Sequence, residues 1–351
     1  MKVDEKPVFS IILLNHNNMH YTIDCIESIQ RSSYPDHEII VIDNASEKDE
    51  AEILRKKFPK IKVIASKINH WFAEGNNIGV RNAKGKYIVI LNNDTIVDKD
   101  WLQKVTDAFK DPSVAIVQCR MYAKFSKEKY FYDNNNMQSL VGTPLLNKNN
   151  YDKNGLKDSF LAVGCALIYP YELFKEPFDK DYLINAEDTA LAFQARIMGY
   201  KVKEIKDSVI YHLGNVTMKK KNTKGFWLKE RNYLMNLLIY YQPKTLFKLS
   251  PLILSSILLR NLYHPTMIHV RLSSYFWLLR NFSNILKKRK KMQSLRKVDD
   301  SELFKAMSYK FLDTDNLSKL TKSLVQTING LSYLYCKLLR IKTSEFVGKT
   351  F

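Results

Sequence analysis

The sequence is poor in cysteine. Its 351 residues include four cysteines, and no two of them are spaced as a CxxC pair: Cys25, Cys119, Cys165 and Cys336. This spacing argues against a zinc site. A chain of this length can bury a sizeable core without disulfide bonds, and so few cysteines are typical of a reducing compartment.

Long apolar runs are also missing. No stretch of about 18 uninterrupted apolar residues occurs, which argues against a conventional transmembrane helix. The first residues, Met-Lys-Val-Asp-Glu-Lys-Pro, lack the apolar centre of a signal peptide. Repeats of solenoid period and low-complexity segments are absent from the sequence as well. The sequence therefore predicts a globular protein with one large α/β domain and an appendage.

Acidic residues are scarce in the last two-fifths of the chain. The net charge is +19. Residues 216–351 hold 26 Lys and Arg against 7 Asp and Glu, whereas residues 1–215 hold 29 of each kind. The whole excess of positive charge thus lies in the C-terminal part. Such an asymmetry indicates a surface for anionic lipid or nucleic acid, with a merely solvated basic face as the alternative.

Apolar runs alternate with helical patterns in the first part of the chain. Strands are predicted over Val8–Leu14, Glu38–Ile42, Ile61–Ala65, Tyr87–Leu91 and Val114–Gln118. Helices are predicted over Tyr21–Ile29, around Ile53 and Leu54 after an N-cap at Ser46, over Ala73–Ala83 and over Asp100–Phe109. This alternation predicts βαβ units in a mostly parallel sheet. The unbroken apolar run from Tyr87 to Leu91 is typical of a strand that is buried on both faces.

Patterns are weaker beyond residue 118. Residues 121–158 predict a long loop, and long loops in compact domains are usually functional or disordered. Apolar character returns over Phe160–Ile168. A helix over Glu187–Met198 and two short strands over Val202–Ile205 and Val209–Tyr211 complete this part.

From Gly225 onward the chain is rich in apolar, aromatic and basic residues. The segments are Trp227–Tyr241, Pro251–Leu259, Tyr275–Ile285 and the basic run Lys287–Lys291. They are too short and too charged to span a bilayer, and they suit helices that lie in its interface with basic side chains toward anionic headgroups. The alternative is a helical bundle packed on the first domain.

Polar residues follow three of the predicted strands. Asn15 follows the first strand, Asp43 and Asn44 follow the second, and Asn92-Asn93-Asp94 follows the strand that starts at Tyr87. Ligands of open α/β sheets bind at the carboxyl ends of the strands. Asp94 offers oxygen ligands that suit a Mg²⁺ or Mn²⁺ ion carrying a diphosphate. A plain polar turn is the other interpretation, since Asn and Asp are common in turns.

The ordered set of motifs resembles the family 2 glycosyltransferases with the GT-A fold, especially their rhamnosyltransferase-like branch. The motifs are Asp43-Asn44-Ala45-Ser46, Gly75-Asn76-Asn77-Ile78-Gly79, Leu91-Asn92-Asn93-Asp94-Thr95, Gly164-Cys165-Ala166, Phe178-Asp179, Glu187-Asp188 and His212. The resemblance implies an α/β, Rossmann-like GT-A fold with a mostly parallel sheet flanked by helices. It implies a catalytic domain over 1–215, with a nucleotide-sugar half over about 1–118 and an acceptor half over about 119–215. The resemblance covers about residues 8–215, and it is the composition of residues 216–351 that predicts a basic, mainly helical C-terminal region able to contact a membrane.

The resemblance also implies residue roles. Asp43 would hydrogen-bond the nucleotide base or ribose, and Asn15 would contact the nucleotide as well. Asp94, the last residue of the DxD-type motif, would hold the divalent metal, Mg²⁺ or Mn²⁺, and His212 would complete the site. Glu187 and Asp188 match the ED motif, whose Asp is the catalytic base. The remaining candidates for substrate binding are Asn44, Asn76, Asn77, Asn92, Asn93 and Gly164.

Two departures from the family pattern affect these expectations. The family commonly reads EDxDL, and Ala190 replaces its second Asp here. Members often carry Arg shortly after the Gly-Cys-Ala segment, where this chain has Tyr169-Pro170. The first departure raises the alternative of a glycosyltransferase-like scaffold that has lost its activity.

The expected function is the transfer of a sugar from a nucleotide-sugar donor to a glycan or lipid-linked acceptor. We expect it to be inverting and metal-dependent, and to serve the synthesis of a cell-surface polysaccharide or glycoconjugate. The expected location is cytoplasmic and peripheral on the inner face of the cell membrane, held by the basic C-terminal region. Nucleic acid is not an expected partner, although a polyanion-binding protein is the alternative that the charge of +19 suggests.

Overall fold

The computed structural model describes residues 8–126, 129–133, 135–214, 223–263, 265–315 and 318–346. Within them lie thirteen β-strands: β1 (Phe9–Asn15), β2 (His37–Asn44), β3 (Lys62–Ser66), β4 (Tyr87–Asn92), β5 (Thr95–Val97), β6 (Val114–Ser126), β7 (Lys129–Asp133), β8 (Met137–Ser139), β9 (Pro144–Leu145), β10 (Leu156–Ser159), β11 (Ala166–Pro170), β12 (Lys201–His212) and β13 (Met307–Ser308). The same residues form eleven α-helices: α1 (Met19–Gln30), α2 (Glu50–Lys57), α3 (Trp71–Arg81), α4 (Val105–Ala108), α5 (Glu187–Ile197), α6 (Thr223–Tyr240), α7 (Pro243–Tyr263), α8 (Ile268–Arg280), α9 (Phe282–Ser294), α10 (Asp300–Phe304) and α11 (Lys319–Leu338). Short 3₁₀ helices cover Tyr171–Leu173, Lys180–Tyr182, Pro265–Met267 and Ser344–Phe346.

A ten-stranded sheet forms the centre of the fold. Its main path runs β10-β12-β6-β11-β4-β1-β2-β3, with β5 beside β12 and β7 beside β6. Strands β4, β1, β2 and β3 are mutually parallel, as are β6 and β12, while β11 runs antiparallel between the two groups. Strands β13, β8 and β9 make a separate small sheet. The predicted α/β class, with helices flanking the sheet, is confirmed.

The first four strands lie within two residues of their predicted positions. The register places Asn15 beside Asp43 and Leu14 beside Asn92. The first five residues of β4 are all buried, as expected for a strand covered on both faces. Because β1, β2 and β4 are parallel, the polar residues that follow them leave the sheet at one edge.

Two helix predictions in this half were wrong in detail. Ser46 does not cap α2, whose N-cap is Asp49, because the Ser46 hydroxyl is engaged by the carboxylates of Asp43 and Glu50. The helix predicted over Asp100–Phe109 is observed only as the single turn of α4, Val105–Ala108. The backbone carbonyl of the buried Trp101 accepts a hydrogen bond from Ser208, which competes with a helical turn at that point.

The long loop predicted over residues 121–158 was wrong. Strand β6 continues to Ser126, and β7 to β10 follow. Lys157 of β10 and Glu204 of β12 are almost fully buried, with Nζ and Oε1 2.9 Å apart. Gln118 and Asn136 donate to the same Glu204 carboxylate. Paired polar side chains inside a sheet break the apolar pattern from which strands are predicted.

The two short strands predicted near residues 202–211 form the single strand β12. Its pairing with β6 shifts register between Ile205 and Val209, which is the position of the predicted break.

The four cysteines are buried thiols.

Helix α6 packs on α5, so the hydrophobic core continues into the C-terminal part. The rings of Phe193 in α5 and Tyr240 at the end of α6 are stacked with centroids 5.2 Å apart. Tyr241 packs edge-on against the same Phe193. The predicted division between residues 215 and 216 lies outside the described residues and stays a prediction.

Helix α7 leaves much of its apolar surface in contact with solvent. Phe247 is 85% exposed and Leu262 is 68% exposed, with Leu254 and Leu258 between them on the same face. Among the described residues it is the single helix long and apolar enough to cross a membrane, over Pro243–Leu262, and 22% of its most apolar stretch is buried. By length and composition, this helix contradicts the expectation that the segments beyond Gly225 are too short and too charged to span a bilayer. Lys244, Lys248 and Pro251 interrupt the apolar run without outweighing it.

Candidate active site

Asn15 and Asp43 lie side by side at the ends of β1 and β2, and both side chains are buried. Asn15 Nδ2 donates to Asp43 Oδ1 at 3.1 Å and to Glu50 Oε2 at 2.8 Å. The Ser46 hydroxyl donates to Asp43 and lies 3.1 Å from Glu50 Oε2. The two carboxylates keep lone pairs for further donors, such as the hydroxyls of a ribose or the N–H of a base. Ser46 and Glu50 had not been predicted as site residues.

Asn44 organises the segment that leads into α3. Its Nδ2 donates to Asn69 Oδ1 at 3.0 Å and to the Trp71 carbonyl at 3.2 Å, and its Oδ1 accepts from the His70 N–H at 2.8 Å. Trp71 has a left-handed backbone with φ of 57°. Asn44 therefore stabilises an unusual turn next to the Asp43 carboxylate.

Asn76 and Asn77 are buried on α3 and make hydrogen bonds within the protein. Asn77 exchanges two hydrogen bonds with the backbone of Phe178, at 2.7 and 3.2 Å. Asn76 Nδ2 donates to the Phe72 carbonyl at 2.8 Å. Gly79 on the same helix approaches β1 so closely that an added Cβ would lie 2.3 Å from Ile12 Cγ2. These contacts fasten α3 in place, and a role of the two amides in substrate binding stays a prediction.

Asp94 and His212 meet at the ends of β4 and β12. Strand β5 pairs with β12 so that Thr95, directly after Asp94, lies opposite His212. Asp94 Oδ1 is 3.2 Å from His212 Nε2, and Asn92 Nδ2 is 3.4 Å from the same nitrogen. The Leu213 N–H donates to the Asp94 carbonyl at 2.9 Å, which holds the two segments together.

Asn93 connects this corner with the Asn15 side of the site. Its Nδ2 donates to the Thr22 hydroxyl at 2.9 Å, and that hydroxyl donates to Asn15 Oδ1 at 2.7 Å. A buried chain of hydrogen bonds thus joins the ends of β4 and β1 and fixes the orientation of Asn15.

The donor atoms at the Asp94 corner fit a hard divalent cation. A carboxylate oxygen and an imidazole nitrogen lie close together, and the amide of Asn92 is their neighbour. No group of three His, Cys, Asp or Glu side chains suited to a metal occurs in the described part of the chain. Mg²⁺ sites with one or two protein ligands are usually completed by substrate phosphates and water. These residues therefore suit a metal that is shared with a diphosphate.

Helix α5 begins with two carboxyl groups in different surroundings. Asp188 is partly exposed; its Oδ2 accepts from the Gly164 N–H at 2.9 Å and its Oδ1 from the Thr189 N–H at 2.6 Å. Burial raises the pKa of Asp188, although these hydrogen bonds oppose the shift. Glu187 is buried, and burial together with the neighbouring Asp188 raises its pKa well above the usual range. Asp188 therefore combines a raised pKa with access to solvent, as a proton acceptor requires.

The segment before α5 is held by α6, which sequence reasoning missed. Leu183, Asn185 and Ala186 all have positive φ, between 62° and 74°. Asn232 Nδ2 donates to the carbonyls of Tyr182 at 3.0 Å, of Ile184 at 3.2 Å and of Asn185 at 2.6 Å. Polar side chains of α6 thus stabilise a strained loop that presents Glu187 and Asp188.

A cleft of about 340 Å³ lies beside these groups. Five predicted residues line it: Asn92, Gly164, Glu187, Asp188 and His212. Its other walls include residues that were not predicted, among them Phe72, Asn185, Lys229 and Tyr233. The cleft thus joins the His212 corner with the Asp188 carboxylate, whereas Asn15, Asp43 and Asn44 lie outside it.

The glycosyl transferase family 2 model matches residues 10–176. The glycosyltransferase GlyG of Streptococcus pneumoniae is 27% identical over 130 residues, which are 36% of this chain and 43% of that protein. The uncharacterized glycosyltransferase EpsJ of Bacillus subtilis is 25% identical over 218 residues, 60% of this chain and 62% of that protein. The poly-beta-1,6-N-acetyl-D-glucosamine synthase of Staphylococcus epidermidis is 30% identical over 111 residues, 31% and 27% of the two chains. This chain therefore spans less than two-thirds of each of these relatives.

Solved structures of the same fold are more distant in sequence. GalNAc-T7 with UDP, GalNAc and Mn²⁺ superposes with a TM-score of 0.56 at 14% identity, covering 69% of this chain and 49% of that one. TarS 1–349 of S. aureus in complex with UDP gives 0.52 at 14% identity, covering 93% and 88%. The predicted GT-A fold is confirmed, and the rhamnosyltransferase-like branch stays a prediction. The fold of this chain is therefore GT-A, and residues 10–176, just under half of the chain, match the glycosyl transferase family 2 model.

Proposed function

We propose that this protein transfers a sugar from a nucleotide-sugar donor to a hydroxyl of a glycan or lipid-linked acceptor. One observation carries the proposal: the partly exposed Asp188 carboxylate lies on the same cleft as Asn92 and His212, next to Asp94. A proton acceptor and a corner suited to a metal and diphosphate are thus brought to one cavity. The name of the Staphylococcus epidermidis relative supports a role in cell-surface polysaccharide synthesis.

Asp188 acts as the base in this proposal. The acceptor hydroxyl loses a proton as its oxygen bonds to the sugar, and a carboxylate within reach takes that proton up. The N–H groups of Gly164 and Thr189 hold the carboxylate in a fixed orientation. We propose an inverting reaction on the strength of the family resemblance.

The donor binds at the ends of β1, β2 and β4 in this proposal. The carboxylates around Asn15 accept hydrogen bonds from the nucleoside. Asp94 and His212 hold Mg²⁺ or Mn²⁺, which when bound neutralises charge on the departing diphosphate as a Lewis acid. The presence of UDP in the TarS structure, and of UDP and Mn²⁺ in that of GalNAc-T7, supports this assignment.

We also propose that the enzyme works at the cytoplasmic face of the cell membrane, as a peripheral protein. The excess of positive charge in residues 216–351 supports attraction to anionic lipid. Exposed apolar side chains on α7 and α8, such as Phe247, Phe276 and Leu279, offer groups that enter the interface. A lipid-linked acceptor would be reached from that position.

Calorimetry with a panel of UDP-, GDP- and dTDP-sugars, with and without Mn²⁺, tests the donor site. We expect one donor to bind in a metal-dependent manner, and we expect Asp94→Ala to lose that binding. Asp188→Asn should keep donor binding and lose transfer, because it removes the proton acceptor while preserving size. The exposed Asp207 provides a control, and Asp207→Asn should change neither property.

Three outcomes separate the proposal from its alternatives. A folded protein that binds none of the nucleotide-sugars would contradict transferase function and favour a polyanion-binding protein. Donor binding without transfer to any acceptor and without hydrolysis would favour the inactive scaffold. Metal-dependent hydrolysis of one nucleotide-sugar in the absence of acceptor would support an active enzyme.

A further inference from the structure

A second cleft, of about 330 Å³, lies between the start of α7 and the end of α11. Its walls carry five basic side chains and one acidic side chain: Lys244, Lys248, Lys305, Arg340, Lys342 and Asp299. None of these residues lines the catalytic cleft. Such a lining favours an anionic ligand.

Ion pairs compensate only part of this charge. Lys244 Nζ lies 2.5 Å from Asp299 Oδ2, and Lys305 Nζ lies 2.7 Å from Glu302 Oε1. Lys248 Nζ donates to a neutral group, the Leu339 carbonyl, at 2.7 Å. The guanidinium of Arg340 makes no ion pair or hydrogen bond with any residue that the structure describes. Lys248 and Arg340 therefore keep their charge available to a ligand.

The backbone of Arg340 is unusual for an arginine. It directly follows Leu339, the C-cap of α11, and its φ of 53° lies in the left-handed region. The Arg340 N–H donates to the Lys337 carbonyl at 3.2 Å and the Ile341 N–H to the Cys336 carbonyl at 2.8 Å, which is the Schellman pattern. Glycine is the usual residue at this position, because any Cβ is disfavoured there. A strained arginine on a basic cleft points to a use for its side chain.

Exposed apolar side chains flank the cleft. Phe247, between the two lysines of α7, is 85% exposed. Leu338, two residues before Arg340, is 79% exposed, and Leu334 one turn earlier is 58% exposed. Cationic groups beside exposed apolar ones match the boundary between the headgroups and acyl chains of an anionic membrane.

We propose that this cleft binds the phosphate of an anionic lipid headgroup. The Arg340 guanidinium presents parallel N–H donors to two phosphate oxygens, and the Lys248 ammonium adds a point charge. Phe247 and Leu338 enter the adjacent acyl region. The inference rests on the proposed membrane location and is independent of the chemistry at Asp188.

The test is flotation of the full-length protein with phosphatidylcholine vesicles, with and without phosphatidylglycerol. We expect binding that requires phosphatidylglycerol and that weakens about fivefold in Arg340→Gly, since one basic residue near an anionic surface contributes about 1 kcal/mol. Arg340→Gly also relieves the left-handed strain, so its melting temperature should equal or exceed that of the wild type. Arg340→Lys keeps the charge but not the planar fork and should bind at an intermediate level.

Lys291→Gln, at an exposed position of α9, removes the same charge elsewhere in the C-terminal region and should have a smaller effect. Equal losses in the two variants would mean diffuse attraction and would overturn a defined site. Unchanged binding by a folded Arg340→Gly protein would overturn it too.

Two other ligands would reject the lipid. Calorimetric binding of inorganic phosphate without vesicle binding would assign the cleft to free phosphate. Preference for a single-stranded oligonucleotide over vesicles would assign the cleft to nucleic acid. Transfer to a soluble acceptor should be unchanged in Arg340→Gly, which separates this test from that of the transferase proposal.

Discussion

Two neighbouring carboxyl groups, Glu187 and Asp188, differ in burial and in hydrogen bonding. Asp188 reaches the cleft and accepts two backbone hydrogen bonds, whereas Glu187 Oε2 is buried without a hydrogen-bond partner among the described residues. Desolvation disfavours the charged form of both groups. For Asp188, the raised pKa bears on the proposed role as base, and for Glu187 it makes the stability of the fold depend on pH.

The raised pKa of Asp188 predicts the acid limb of the pH profile. In the proposed role as base, Asp188 must be deprotonated, so kcat/KM should fall as the pH drops through the raised pKa, at a pH above the ordinary Asp value of about 3.9. The measurement is kcat/KM across the acid range, with donor affinity measured at each pH as a control. Full activity down to the ordinary Asp value would contradict this role for the residue.

Glu187→Gln should stabilise the protein more as the pH rises. Because the folded pKa of Glu187 lies above the unfolded value, the native state holds a proton that the unfolded state has lost. The wild type therefore loses stability as the pH rises from the unfolded pKa toward the folded one, and the amide variant does not. Melting temperatures of both proteins on either side of pH ~5 test this. Glu47→Gln, at an exposed site, is the control, and a pH-independent difference for Glu187→Gln would count against the buried proton.

At the scale of elements, α6 acts as a support for the loop over residues 181–186. Besides Asn232, Arg231 donates to the Asp181 carbonyl at 2.5 Å, and Asn236 Nδ2 donates to the Ala186 carbonyl at 3.2 Å. The start of α5 is thus positioned by a helix some 40 residues further along the chain. Precise placement of a base depends on such supporting contacts.

Asn232→Ala should lower both stability and turnover. The variant removes a donor from three backbone carbonyls, although that of Tyr182 still accepts from Arg231 and from the Ile184 N–H. An unsatisfied buried group costs about 1–3 kcal/mol, so we expect a loss in that range. Turnover should fall because Asp188 is less well placed, while the donor Kd should change little. Denaturant unfolding and steady-state kinetics measure the two effects, with Asn154→Ala in an exposed turn as the control. Unchanged kinetics in a destabilised variant would limit α6 to a structural role.

The elements show where sequence patterns succeed. The strands before residue 119 were predictable because their apolar runs end at polar residues. Strand β10 was not, because its buried Lys157, which pairs with Glu204 of β12, has the polarity of a surface residue. Asn232 was missed for a related reason. Its partners are backbone carbonyls 47–50 residues earlier. The hydrophobic periodicity of a helix does not indicate a contact that distant in sequence.

Across the whole molecule, one hydrophobic core connects the sheet with the C-terminal helices. Buried residues of a single cluster include Ile90 in β4, Phe193 in α5, Met235 in α6 and Cys336 in α11. The charge of the molecule is nevertheless divided, with the excess confined to residues 216–351. The hydrophobic core therefore runs across residue 215, whereas the net charge changes there. Composition alone reveals only the change in charge.

A shortened chain that ends at residue 214 should not fold on its own. It would expose the surface of α5 that Met235, Tyr240 and Tyr241 cover, and it would lack the donors that hold the 181–186 loop. We expect aggregation or a non-cooperative melt, measured by circular dichroism and size-exclusion chromatography beside the full chain. A monomeric product with a cooperative transition would instead support a domain boundary at residue 215.

The support that α6 gives to Asp188 also has a consequence for synthesis on the ribosome. Strands β1 to β4 need only the first 92 residues and can pair early in translation. The loop before α5 gains its hydrogen bonds only after Asn232 and Asn236 have been made. A nascent chain can thus pair β1 to β4 before the loop that precedes Asp188 gains its support. Synthesis of the Asn232 region is therefore the stage of translation at which the loop before Asp188 can become ordered.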